Sequence, residues 1–194
     1  MNFGALAVFA FVSSITPGPN NVMLWASGLN FGLRRTAAHL AGVNLGFMSL
    51  LLTTSIGLGA LFERFDWMQL TLRIVGSTYL LYLAYRVATA GRAVETADTR
   101  PLSFKEAAAF QYVNPKAWVL SIAAASSFLP ADQALFPRVL LFVGLFGVVN
   151  LPCITVWAAG GSAMARLFDD DRRRRTMNGI LGLLLVATVY LINT

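Results

Sequence analysis

Polar, helix-breaking residues interrupt two apolar stretches of this chain. They are Thr16, Pro17, Gly18, Pro19, Asn20 and Asn21 within "SSITPGPNNVM" (13–23), and Asn114, Pro115 and Lys116 within "QYVNPKAWVLS" (111–121). A proline has no amide proton and its ring obstructs the carbonyl one turn back, so helical hydrogen bonds open at both places. In hydrocarbon an open bond is costly unless neighbours, water or a bound solute satisfy the freed groups. The chemistry on offer is therefore recognition: Asn20, Asn21 and helix-end amides suit a carboxylate, and Lys116 can reinforce that contact. Freed carbonyls or Asn44 suit an amino group. The competing readings are structural: a kink packed by its own side chains at 16–20, and a snorkelling anchor at Lys116. Asn20 is also a candidate cap for the helical segment that follows it.

The elements that must position these residues are membrane helices. The 194 residues are 57% hydrophobic and 12% charged, with mean hydropathy +0.65, more apolar than a water-soluble surface of this size tolerates. Six spans are expected, at roughly 3–26, 37–61, 68–90, 106–129, 135–160 and 176–193. Each is close to the ~20 residues that a helix needs to cross the hydrocarbon core. The amino-terminal stretch lacks a basic leader and a small-residue cleavage site and reads as a retained span. Trp25, Trp67 and Tyr112 fall near span borders and read as interface anchors.

Arginine and lysine are unevenly shared between the connections. Arg34, Arg35, Arg86, Arg92, Arg100, Lys105, Arg166 and 172–175 lie on one side, and Arg64, Arg138 and Arg73 on the other. By the positive-inside rule the first group is cytoplasmic and both termini are periplasmic. The polar connection 91–105, with Glu95 and Asp98, divides a single transmembrane domain (1–194) into three-span halves, 1–90 and 106–194. An odd number of spans per half inverts the second half relative to the first, the plan of many secondary transporters. The expected fold class is an all-α integral membrane protein of two inverted three-helix halves, its first and fourth helices broken by proline. Each half also carries an asparagine in its second span, Asn44 and Asn150, suited to interhelical bonding or solute contact.

Enzyme chemistry is poorly provided for. One histidine, one cysteine and no carboxylate near the middle of any span disfavour triads and multi-ligand metal sites, and no phosphate-cradling loop occurs. No catalytic residue, metal or cofactor is expected. The net charge of +6 is explained by loop cations facing anionic lipid, without nucleic acid. His39 reads as interfacial or packed, with a smaller case for coupling to protons. Glu106 stands at the entrance to the fourth span. Tyr79 and Tyr82 are structural or cavity-lining. Gly28/Gly32 and Gly42/Gly46 permit close helix contact and a homo-oligomer.

With "SSITPGPNNVM", "GSTYLLYLAYR" (76–86) and "NPKAW" (114–118) in this order, the whole chain resembles the lysine-exporter and threonine/homoserine-exporter family, LysE/RhtB. The resemblance implies a bacterial inner-membrane exporter of amino acids or related metabolites, driven by the proton motive force. It places Pro17, Gly18, Pro19 and Asn20, with Asn114, Pro115 and Lys116, at the family's motif positions. The alternatives are a channel-like or uptake transporter for another small solute, and a non-transporting scaffold.

Overall fold

A computed structural model describes residues 1–59, 64–90, 100–129, 136–167 and 170–193. Arg92, Glu95, Asp98 and most of the expected connection between the halves lie outside these residues, as does Asp169. The described residues form helices throughout: α1 (Phe3–Ile15), α2 (Pro19–Arg35), α3 (Ala37–Thr53) with a wider π-helical turn over Thr54–Leu58, α4 (Asp66–Thr89), α5 (Phe104–Gln111), α6 (Pro115–Phe128), α7 (Phe136–Leu167) and α8 (Asp171–Asn193). Three segments among them are long and apolar enough to cross a membrane: Ala37–Gly57, Phe136–Ala165 and Asp171–Asn193. Large apolar side chains also face outward, including Val148, Leu183 and Leu191, an exposure suited to lipid. This is an all-helical membrane protein.

Local chemistry sets the helix starts. Asn2 caps α1 by accepting the Ala5 amide at 3.1 Å. Ser103 and Glu106 form a capping box at the start of α5, each satisfying an amide that a helix end leaves open. Glu106 also holds Arg100 through two bonds, at 2.6 and 2.9 Å. Pro19 and Pro115 each occupy the first turn of a helix, where a missing amide costs nothing.

The helices enclose two apolar cores, one toward each end of the bundle. The first, toward the arginine-rich end, gathers α2, α4, α5 and α8, with the start of α3 and the later part of α7, around Leu24, Leu80, Phe110 and Leu185. The second gathers α1, α3, α6 and α7 around Leu6, Leu50, Phe142 and Phe146. Each core thus draws on both sequence halves.

In the first core helices meet backbone to backbone. A Cβ on Gly28 would strike the Ala158 carbonyl and one on Gly161 the Trp25 carbonyl, while Gly42 and Gly46 leave the same clearance for Phe104 and Ala108. Gly32 differs: it has φ 78° and nothing near it, and it interrupts the regular geometry of α2.

Candidate functional site

The first expected span is built as two helices, α1 and α2, with 16–18 between them, and the fourth as α5 and α6, with 112–114 between them. Pro19 cannot donate to the carbonyl of Ile15, nor Pro115 to that of Gln111, so both breaks leave carbonyls to be satisfied. At the first break, Trp157 Nε1 donates to Ile15 O at 3.1 Å. Asn21 Nδ2 donates to Ser14 O and Thr16 O, both at 2.9 Å. Lys116 Nζ donates to Thr16 O at 2.9 Å and Pro17 O at 3.1 Å.

The second break is closed largely by its own chain. Tyr112 N, Val113 N and Asn114 N donate to Ala109 O, Phe110 O and Gln111 O at 3.1, 3.1 and 3.4 Å. The Asn114 side chain caps α6 by accepting the Lys116 amide at 3.2 Å. Trp118 Nε1 donates to Tyr112 O at 2.9 Å.

Asn20 and Lys116 hold equivalent positions, each second in a helix that begins with proline, and each reaches across to the other break. Asn20 forms a reciprocal amide pair with Gln111, at 2.8 and 3.1 Å. Its side chain is thereby committed to α5, and α2 has no side-chain cap. The cap expected of Asn20 is absent because the residue sits inside the first turn, beyond the Gly18 capping position.

A cleft of about 40 Å³ lies where the breaks meet. Gly18, Pro19, Asn20, Asn21, Asn114 and Lys116 line it, with Ser13, Ser14 and Asn150, against walls that include Phe47 and Phe146. Of the residues expected at the site, Pro17, Pro115 and Asn44 are not on its lining. Pro17 still contributes a carbonyl to Lys116, and Asn44 accepts a 2.8 Å bond from the lining Asn150.

Sequence reasoning did not single out Gln111, Phe47 or Phe146. Gln111 was visible as a polar residue one turn before Asn114, in the relation Ser13 has to Thr16. The two phenylalanines carried no signal that separates cleft wall from core. Tyr79 packs on Phe110 with ring centroids 5.4 Å apart, and neither it nor Tyr82 lines the cleft. Trp25, expected at an interface, packs edge-on against Trp157 at 5.9 Å, whereas Trp67 is exposed.

His39 is buried and lines a separate cavity of about 70 Å³ toward the arginine-rich end, with Ser27, Asn30, Arg86 and Arg100. Neither of its ring nitrogens has a hydrogen-bond partner among the described residues.

The chain is 32% identical over 189 residues to a cysteine/O-acetylserine efflux protein of Escherichia coli (strain K12), covering 94% of this chain and 92% of that one. It is 33% identical over 196 residues to the protein of the same description from Salmonella typhimurium (strain LT2), covering 96% and 94%. No solved structure matches it. The LysE type translocator family matches residues 11–192, and to that family this chain belongs.

Proposed function

We propose that this protein exports a small amino acid or a close derivative across the bacterial inner membrane, driven by the proton motive force. Its substrate class is that of cysteine and O-acetylserine, which name the relatives it resembles along almost its whole length. The observation that carries this reading is the crossing of the two breaks, Asn20 onto Gln111 and Lys116 onto Thr16 and Pro17, around one cleft.

In this reading the halves 1–90 and 106–194 are inverted repeats of three spans each, and both termini are periplasmic. The arginine-rich end is cytoplasmic. The substrate carboxylate is received at the start of α2. There Gly18 supplies no side-chain cap, and the first-turn amides and helix dipole favour an anion. Asn21, Asn114 and Lys116 surround that point, and the freed carbonyls receive the amino group. Alternating access follows from rocking of one half on the other about the cleft. Tight glycine seams at the arginine-rich end support movement at the opposite end of the bundle. There the space beside Gly147 is filled by the flexible Met48 side chain.

The test is export from reconstituted vesicles preloaded with cysteine, O-acetylserine and a mixed amino-acid pool, with and without an imposed proton gradient, read by mass spectrometry. Gradient-dependent movement of a small amino acid is expected. Movement indifferent to the gradient would replace the exporter with a channel-like pathway, and unaltered export by Asn20→Ala and Lys116→Ala would remove the cleft as the site.

A further inference from the structure

Lys116 is held in an unusual way for a lysine within an apolar bundle. Its ammonium has two carbonyl oxygens, of Thr16 and Pro17, at 2.9 and 3.1 Å. Among the described residues it makes no ion pair, the carboxylate of Glu106 being engaged by Arg100. An ammonium has three donors and no acceptor, so the site that holds it is defined by backbone carbonyl dipoles alone. Any primary ammonium of the right reach presents the same donors to the same oxygens.

Gly18 shows that the lysine stem is fitted to this place. A Cβ there would lie 2.8 Å from Lys116 Cδ and 3.0 Å from Nζ. The Gly18 backbone, at φ −175°, is extended and open to any residue. The requirement for glycine therefore comes from the stem passing over it. Lys116 also borders a second space, the groove of about 390 Å³ lined by Gln69, Leu72 and Arg73 of α4 and Val119 of α6. A displaced side chain has room there.

We propose that the Thr16 and Pro17 carbonyls form a binding site for a primary ammonium group, that Lys116 occupies this site in the present conformation, and that the amino group of the exported substrate displaces it. This rests on the amino-acid export reading above and adds its regulation. Lys116 ties the start of α6 to the turn between α1 and α2, so the exchange of one ammonium for another frees the two breaks from each other when substrate is bound. Substrate binding and release of the tie become one event, and an empty transporter stays tied.

The experiment uses the full chain in lipid nanodiscs and n-propylammonium chloride as the probe, with tetramethylammonium chloride, which has no N–H donor, as the control at equal ionic strength. The readout is the rise in thermal unfolding midpoint with probe concentration. A resident ammonium that holds its site about ten to one raises a competitor's apparent dissociation constant about tenfold. Lys116→Met and Gly18→Ala are therefore expected to respond to propylammonium at about one tenth of the concentration the unaltered chain requires. Tetramethylammonium is expected to shift none of them.

Gly18→Ala retains the lysine and its charge and meets only a flexible stem, so it carries the test should Lys116→Met fail to fold. Equal responses in the unaltered chain and the variants, or equal action of tetramethylammonium, would overturn the proposal. In either case gradient-driven export by the unaltered chain is measured separately. Its persistence confines the failure to the ammonium site, and its loss removes the export reading itself.

Discussion

The two breaks face the same problem and solve it differently. Pro19 and Pro115 remove the donors that would have reached Ile15 O and Gln111 O. Gln111 O is taken by Asn114 N, three residues further along its own chain, whereas Ile15 O is taken by Trp157 Nε1, 142 residues away. Around it, Ser14 O, Thr16 O and Pro17 O depend on the side chains of Asn21 and Lys116. The second break is thus a turn that closes itself, with Asn114 as cap. The first is assembled by the tertiary structure, and it changes when its donors move. A transport cycle can act on a break of the first kind without unfolding anything.

The largest effect is expected where one side chain does the most for the first break. Asn21 is buried, and both protons of its amide are used. Asn21→Leu keeps the approximate size but strands the Ser14 carbonyl and weakens the hold on Thr16. A loss of about 2 to 3 kcal/mol of stability follows from leaving a buried acceptor unsatisfied, measured by thermal or denaturant unfolding in lipid or detergent. Next is Trp157→Phe, which keeps most of the ring packing on Trp25 but removes the donor to Ile15 O. About 1 to 2 kcal/mol is expected, with export impaired at the same time. A neutral result in either variant would show that water fills the first break as readily as the side chains do, and the contrast between the breaks would fall.

How much of this was legible beforehand follows from which interactions are local. Proline chemistry is local, so the positions of both interruptions could be read from Pro17, Pro19 and Pro115; the cap at Asn114 was not singled out, although an asparagine directly before a proline carries that signal. Hydrophobic runs marked α3, α7 and α8. The donors that complete the first break were not readable as such. Trp157 reaches Ile15 through the fold, and nothing in its neighbourhood separates a hydrogen-bonding tryptophan from a packing one. Trp25 misled for the same reason, since an amphipathic ring near a span border fits an interface as well as it fits the glycine-lined seam where it sits. Asn20 was expected to cap a helix because asparagine is a good cap. The amide pair with Gln111 prevailed because Gly18 and Pro19 already fix where α2 begins.

Asn114→Ala tests the other side of the comparison. The cap bond to Lys116 N is lost, and about 1 kcal/mol is the usual cost. The turns through Tyr112, Val113 and Asn114 are made by backbone and survive. Asn114→Ser, a comparably good cap, is expected to recover most of the loss in the same unfolding assay. A cost as large as that of Asn21→Leu would mean that the second break also hangs on one side chain, and the two would be alike.

The smallest effect belongs to the contact that crosses between the breaks without a charge. Asn20 and Gln111 exchange two hydrogen bonds, but Gln111 Nε2 also donates to Ala107 O at 2.9 Å within its own helix. Gln111→Ala therefore measures more than the pair. A double-mutant cycle of Asn20→Ala and Gln111→Ala subtracts the intrahelical bond, which is lost whether or not Asn20 is present. Side-chain hydrogen bonds between membrane helices couple by about 0.6 kcal/mol on average, because partners are also found when the helices separate. A coupling near that value makes the amide pair a weak tie that can open in each cycle. It leaves Lys116 as the stronger crossing contact, with two charge-assisted bonds. A coupling well above it would reverse the ranking, with the amide pair holding the breaks together and the ammonium the contact more easily exchanged.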